Sequence, residues 1–570
     1  MMGMKGTGVY ERIAIGATWC MAAASWSDGA EPQATTATHV MVELRFESAV
    51  DYADPINTVE FEATFTDPNG KTFRVPGFWA GGRDWRIRYA SPVGGVHGYR
   101  TSCSDAQNKG LHERVGSVKI VRYEGDNPLL AHGGIRVAGD RRHFEHVDGT
   151  PFLWIGDTVW MGLCQRLHWP EEFKALLADR RGKGFNVIQI VAGLYPDMAA
   201  FDPRGANEAG FPWEKDYSTI RPAYFEKADE RLFAMVDMGF VPCIVGAWGY
   251  HISWMGADRL KQHWRYLIAR YGALPVVWCI AGEVNLPYYL VKGFPFDDRG
   301  QVKAWTPVAA YVREIDPFDR MVTIHPTGMG RLSARGAIDD VGLLDFDMLQ
   351  TGHGDVGSLE PTVRAARDTY TAEPMMPFIN SEVCYEGILN RCDASVQRLM
   401  TWVCLMSGAA GHTYGANGIW QINRRDEPYG KSPHGGNWGT RAWDEAMRLP
   451  GSSQVGLAGS ILRQYPWFEF EPHPEWAAYG ATEAKRNPYW APYAAGTRDG
   501  RIRMVYLPTA ERVTLHQLAP GQTYKATWFD PISGQRTPAH QADGDAKGSW
   551  AAGDPPKRDQ DWVLVLEAGR

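Results

Sequence analysis

The sequence predicts a multidomain protein in which a central (β/α)8 barrel is flanked by an N-terminal β-sandwich and a small C-terminal all-β domain. Three observations carry this expectation. Between residues 134 and 450, eight short apolar strand candidates recur, mostly separated by helical stretches, which is the count and alternation of a barrel. Ahead of them stand short runs of period-two alternation at hairpin spacing. After them the chain returns to strands. The expected division is a leader over residues 1–36, a sandwich over 37–130, the barrel over 134–450 and the C-terminal β-domain over 451–570.

In the leader, residues 13–26 are fairly apolar and contain Ala22-Ala-Ala24, but Glu11 and Arg12 abut them and Thr18, Trp19 and Cys20 interrupt the centre. A weak export signal and a stray leader are equally compatible with that pattern, so secreted, periplasmic and cytoplasmic locations all stay open. The sandwich is read from His39-Val-Met-Val-Glu-Leu-Arg-Phe46, Val59-Glu-Phe-Glu-Ala-Thr-Phe65, Trp85-Arg-Ile-Arg-Tyr89 and Val118-Lys-Ile-Val-Arg-Tyr123. Turn signals at Asp54-Pro55 and Asp67-Pro-Asn-Gly70 separate the first of these.

The barrel strands are predicted in order. Phe152-Leu-Trp-Ile-Gly-Asp-Thr158 comes first, then Phe185-Asn-Val-Ile-Gln-Ile-Val191, Phe240-Val-Pro-Cys-Ile-Val-Gly246 and Pro275-Val-Val-Trp-Cys-Ile-Ala-Gly-Glu-Val-Asn285. Met321-Val-Thr-Ile-His325, Phe346-Asp-Met-Leu-Gln350, Met376-Pro-Phe-Ile-Asn-Ser-Glu382 and Gly411-His-Thr-Tyr-Gly415 follow. Apolar runs of this length are what strands buried on both faces look like. Helices are expected over 169–184, 224–239, 259–271, 308–315, 361–370 and 395–406, the first two stopped by Gly184 and Gly239. Beyond residue 450, Arg503-Met-Val-Tyr-Leu507, Tyr524-Lys-Ala-Thr-Trp-Phe529 and Trp562-Val-Leu-Val-Leu566 form the last domain.

Composition narrows the function. The net charge of −7 comes with no basic cluster, which argues against nucleic-acid or anionic-membrane partners. No apolar run approaches a membrane span. The eight cysteines are scattered, without a CxxC pair, and the histidines have no HExxH-like spacing, so neither metal nor cofactor is expected. Gly352-His-Gly-Asp-Val-Gly357 fits GxGxxG formally but opens no nucleotide-binding βαβ unit. The 23 Trp and 24 Tyr are abundant, and flat aromatic faces are what sugar rings stack on.

In such a barrel the reacting groups sit at the C-terminal strand ends. In strand order these are Asp157, Tyr195 with Asp197, Trp248 with His251, and Glu283 with Asn285. His325, Gln350 with His353, Glu382 with Tyr385, and Tyr414 follow. Trp160 and Trp420 add aromatic walls. The fourth and seventh strands lie nearly opposite each other, so Glu283 and Glu382 face across the mouth. Paired carboxyl groups across a scissile bond are the requirement for glycoside cleavage, and the assignment is Glu283 as general acid/base and Glu382 as nucleophile of a retaining reaction. Asp157, Trp160, Tyr195, Trp248, His251, Asn285, His325, Gln350, His353, Tyr385, Tyr414 and Trp420 are assigned to substrate binding, and the expected partner is a poly- or oligosaccharide. A transglycosylase shares every one of these residues; a non-catalytic carbohydrate-binding protein is the other alternative, and the presence of both carboxylates argues against it.

Trp154-Ile-Gly-Asp-Thr158, Ala281-Gly-Glu283, Asn380-Ser-Glu-Val-Cys-Tyr-Glu386 and Gly408-Ala-Ala-Gly-His-Thr-Tyr-Gly415 resemble the apiosidase-like family of glycoside hydrolases. The resemblance implies a (β/α)8 fold with the acid/base after the fourth strand and the nucleophile after the seventh, matching Glu283 and Glu382. Apiose-cleaving members often carry Asp at the acid position, where this chain has Glu283, so the resemblance implies the reaction and leaves the sugar open. Asp67-Pro-Asn-Gly-Lys71, Gly77-Phe78 and Trp85-Arg-Ile-Arg88 are similar to an N-terminal sandwich often fused to such barrels. Val505-Tyr-Leu-Pro508, Trp528-Phe-Asp-Pro531 and Asp561-Trp-Val-Leu564 resemble the C-terminal domain labelled collagen-binding.

Overall fold

The computed structural model describes residues 33–480 and 487–569, so nearly all of the predicted leader lies outside the described residues. Eight parallel strands form the barrel: Trp154–Thr158, Val187–Val191, Val241–Val245, Val277–Cys279, Val322–Thr323, Asp347–Gly352, Phe378–Val383 and Gly411–Tyr414. They are the eight runs read from the sequence, and the eighth pairs with the first, Trp154 opposite Gly411. Their residues are buried on both faces, which is why the runs are continuously apolar rather than alternating.

The ring has a seam between the fifth and sixth strands, where the ladder is interrupted. There the Val322 N–H donates to the Asp345 carboxylate (2.7 Å), the Asp345 N–H donates to the Val322 carbonyl (2.8 Å), and the Thr323 hydroxyl donates to the Phe346 carbonyl (2.9 Å). No α-helix bridges these two strands, only short 3-10 turns at Ala334–Ala337 and Val341–Leu343.

Outer helices cover Glu171–Gly182, Pro222–Asp237, His251–Tyr271, Arg299–Ile315, Leu359–Thr371, Ala394–Met406 and Pro450–Leu462. Two begin well before the apolar period that predicted them. His251–Tyr271 is broken at Gly256 (φ 75°), so its first turn is out of phase with the rest. Arg299–Ile315 opens on a polar turn held by Asp298, whose side chain accepts from the Gln301 N–H (3.0 Å). The last helix extends the barrel layer beyond residue 450, where the C-terminal domain was expected to begin. Gly459 lies against Ile155 of the first strand so closely that a Cβ would stand 2.8 Å from its side chain.

The N-terminal domain is a two-sheet sandwich over Phe46, Phe61, Phe65, Trp85 and Tyr99. Its central strand, Gly95–Cys103, was not legible because Gly95 and Gly98 interrupt the alternation. Arg88 crosses from the sandwich to the barrel. It pairs with Asp229, donates to the Arg270 carbonyl (2.8 Å) and bonds Glu43 (3.0 Å), while Arg270 also pairs with Asp229 (2.6 Å). At the other end, strands Ile502–Leu507, Thr523–Phe529 and Trp562–Ala568 form the middle of an antiparallel sheet. That domain is tied on by Arg398, which forms an ion pair with Asp561, and by Trp402 stacked on Tyr506.

Candidate active site

After Cys279 the fourth strand continues as a single parallel bridge from Gly282 to Trp248, at the end of the third strand. A Cβ on Gly282 would lie 2.2 Å from the Trp248 ring, so only glycine lets that indole lie against the strand. The consequence falls on the next residue. Glu283 takes a left-handed backbone (φ 42°), rare for a residue with a side chain and costly unless its surroundings impose it. Trp248 Nε1 donates to its Oε2 (3.2 Å) and Gln350 Nε2 to its Oε1 (2.9 Å).

Glu382 reaches the mouth by a different device. Asn380 hydrogen-bonds Thr351 (2.9 Å) beside Cys404 of an outer helix, and strand alternation would send Glu382 to that same side. The pairing with the sixth strand slips, however: Leu349 faces Asn380 but Gln350 faces Glu382, leaving Ser381 as an extra residue. Such a bulge re-aims the following side chain. Glu382 Oε1 bonds His353 Nε2 (2.9 Å), and Oε2 lies 3.4 Å from His325 Nε2, with neither of these last two atoms having another partner.

The two carboxyls therefore diverge. Burial pushes Glu283 up to about 7, and the charge of Glu382 adds to the rise, against the opposing hydrogen bonds from Gln350 and Trp248. Burial pushes Glu382 up as well, but the hydrogen bond from His353 and the charges of His325 and His353 outweigh it, leaving its carboxyl below the usual range. The Tyr385 hydroxyl, which accepts from Trp160 Nε1 (2.9 Å), lowers Glu382 further.

Both glutamates line one cavity of about 560 Å³ at the barrel mouth, together with Trp160, Trp248, Gln350, His353, Tyr385 and Trp420. His325 lies beneath it, fully buried, its Nδ1 bonded to the Pro326 carbonyl (2.8 Å). The other five predicted residues are elsewhere. Asp157 is completely buried in an ion pair with Arg180 of the first outer helix. Tyr195 bonds the Tyr224 hydroxyl (2.9 Å) in the wall, and His251 is directed at the Tyr195 carbonyl (3.2 Å), with burial lowering its pKa to about 3. Asn285 ties two loops together, accepting from the Thr327 N–H (3.2 Å) and donating to Asp297 (3.3 Å). Tyr414 donates to Glu386 (2.6 Å), and Glu386 also accepts from the Gly451 N–H (3.1 Å). Glu386 thus caps helix Pro450–Leu462.

Several lining residues were not predicted, among them Tyr289, His434 and Trp438. Trp438 is held by Asp197, which accepts from its Nε1 (3.0 Å) and bonds Ser432, joining the second and eighth loops. A tryptophan amid His434-Gly-Gly-Asn-Trp438-Gly, in a long mouth loop, was the available signal. Among the described residues no cluster of three or more His, Cys, Asp or Glu could hold a metal ion, and no helix is long and apolar enough to cross a membrane.

The barrel and its aromatic, two-glutamate pocket define a protein of the (β/α)8 glycoside hydrolase class. More narrowly, the chain belongs to the apiosidase-like family, whose catalytic-domain model matches residues 138–469. A domain of unknown function, DUF5060, matches residues 35–104, and residues 484–567 match the "Putative collagen-binding domain of a collagenase". Solved structures with the same fold include one named simply glycoside hydrolase (22% identity, TM-score 0.61), for which 78% of this chain covers 98% of that one. A glycoside hydrolase family 5 protein from Bacteroides vulgatus is 21% identical (TM-score 0.60; 78% and 95% covered). A "putative glycoside hydrolase" from the same organism is 17% identical (TM-score 0.67; 94% and 100% covered). No curated protein matches the chain.

Proposed function

We propose that this protein hydrolyses glycosidic bonds of a carbohydrate substrate with retention of configuration, Glu382 acting as nucleophile and Glu283 as acid/base. The observation that carries the reading is the pair of carboxyls in one pocket with opposite proton affinities. Ionised Glu382 attacks the anomeric carbon. Protonated Glu283 gives its proton to the glycosidic oxygen, and the carbon–oxygen bond breaks to leave a glycosyl ester on Glu382. Ionised Glu283 then takes a proton from water, whose oxygen displaces the ester and frees Glu382. Trp248 and Gln350 hold both oxygens of Glu283 for these two transfers. Trp160, Trp420 and Tyr385 offer ring faces for the sugar.

The test is Glu382→Ala on whichever aryl glycoside the wild type turns over. Turnover is expected to disappear and added azide to restore part of it as a glycosyl azide. An inverted product from the wild type, or a Glu382→Ala variant with undiminished turnover, would overturn the assignment.

A further inference from the structure

Of the twelve large apolar side chains left exposed among the described residues, six stand on the loops around the barrel mouth: Leu290, Val291, Phe296, Met329, Val356 and Leu389. That concentration is not what a solvated rim shows, and exposed apolar patches beside a cavity mark ligand surfaces. Four of the six belong to the loops following the fourth and fifth strands. Phe296 is 54% exposed and Met329 50%, yet both line the cavity that holds the two glutamates. Leu286, Phe294 and Ile388 line it too, and Phe294 meets Phe296 edge-on at 5.6 Å.

The chemistry of this collar differs from that of the inner pocket. A sugar in a leaving-group site presents hydroxyls around its edge and flat faces, and is met by polar side chains and aromatic planes. Leucine, isoleucine and methionine supply neither, and Phe294 and Phe296, which meet each other edge-on, supply rings but no group that bonds a hydroxyl. The carboxylates of the same loop are committed to its own fold: Asp297 to Arg331 (2.8 Å) and Asn285, and Asp298 to the cap of helix Arg299–Ile315. Tyr289 and Thr327 are the polar side chains that this side contributes to the lining. The loop that carries Leu286, Phe294 and Phe296 is also the direct continuation of Glu283, the group that protonates the departing oxygen. The leaving group therefore departs beside this loop.

We propose that the collar is a leaving-group subsite for an apolar alcohol, an alkyl chain or a phenol, so that the substrate is a glycoside of a hydrophobic aglycone. This rests on Glu283 being the acid of a glycoside hydrolase. Hydrolysis transfers the Glu283 proton to the aglycone oxygen and releases the free alcohol onto Leu286, Phe294, Phe296, Met329 and Ile388. The expected poly- or oligosaccharide is thereby narrowed to a glycoside whose sugars lie on the glycone side.

The test is calorimetric titration of the full-length protein with 1-butanol, 1-hexanol and 1-octanol, followed by inhibition of aryl-glycoside hydrolysis by 1-octanol. Affinity is expected to rise by about fourfold per methylene, and 1-octanol to inhibit competitively. Phe296→Ser combined with Met329→Ser is expected to flatten the chain-length dependence, while Phe296→Leu preserves it. An active enzyme with no chain-length dependence, or a double variant with the wild-type dependence, would overturn the subsite alone. Alkanol binding by a protein that hydrolyses no glycoside would overturn the hydrolase reading and the leaving-group role with it.

Discussion

On the first strand of the barrel the buried acid has a permanent partner. Asp157 is sealed against the Arg180 guanidinium. On the fourth and seventh strands the acids are met by an amide, an indole, two imidazoles and each other. A guanidinium keeps its proton at any working pH, so although burial pushes the Asp157 carboxyl up, Arg180 remains a fixed counter-charge and the pair serves the wall. Neutral donors and imidazoles hold a carboxyl in place while leaving its proton free to move, which is the condition for acid–base chemistry.

The contrast can be broken from either side. Glu283→Gln is expected to lower kcat by about 10²–10⁴-fold without lowering the free energy of unfolding, since it removes a buried acid from beside a like charge. Steady-state kinetics and urea unfolding on one preparation check both halves. Asp157→Asn is expected to do the reverse. It leaves buried Arg180 with Asp179 as its remaining counter-charge, costing about 3 kcal/mol in urea unfolding, at the low end for a broken buried pair, while the folded fraction keeps its kcat. A large kcat loss in folded Asp157→Asn protein would erase the distinction.

The pH dependence sharpens it. Activity needs Glu382 ionised and Glu283 protonated, so kcat/KM is expected to fall on the alkaline side near pH 7 and on the acid side below the usual carboxylate range. Trp248→Phe removes a donor that favours ionised Glu283, raising its pKa and moving the alkaline limb to higher pH. His353→Ala removes the hydrogen bond that favours ionised Glu382, raising that pKa and moving the acid limb to higher pH as well. Limbs that stay in place in both variants would detach these donors from the two carboxyls.

The barrel was legible because a strand buried on both faces has to be an uninterrupted apolar run, and eight such runs survive in the sequence. Glu283 and Glu382 were legible as the acids terminating two of them. What a one-dimensional list of strand ends lacks is direction. Asp157 shares the side of its strand with Ile155, which packs on helix Pro450–Leu462, and counting in twos assigns it to the helix layer. The same count applied to Glu382 gives the wrong side, because the bulge at Ser381 depends on how two strands pair and leaves no mark in either alone. The collar was hidden for a related reason. Leu286, Phe294 and Phe296 fall in a loop without periodicity, and only the closure of the ring sets them against Met329 and Ile388.

Arg88 has a consequence for the molecule as a unit. Its guanidinium belongs to the N-terminal sandwich, but the carboxylate it completes, Asp229, lies on barrel helix Pro222–Asp237, and Arg398 performs the same service toward Asp561 from the barrel side. Melting the C-terminal domain would leave Arg398 without Asp561, and melting the sandwich would leave Asp229 with Arg270 as its remaining guanidinium, so each domain's loss is felt by its neighbour. The expected outcome in scanning calorimetry is that the flanking domains melt together with the barrel; separate transitions for them would show these ion pairs to be dispensable.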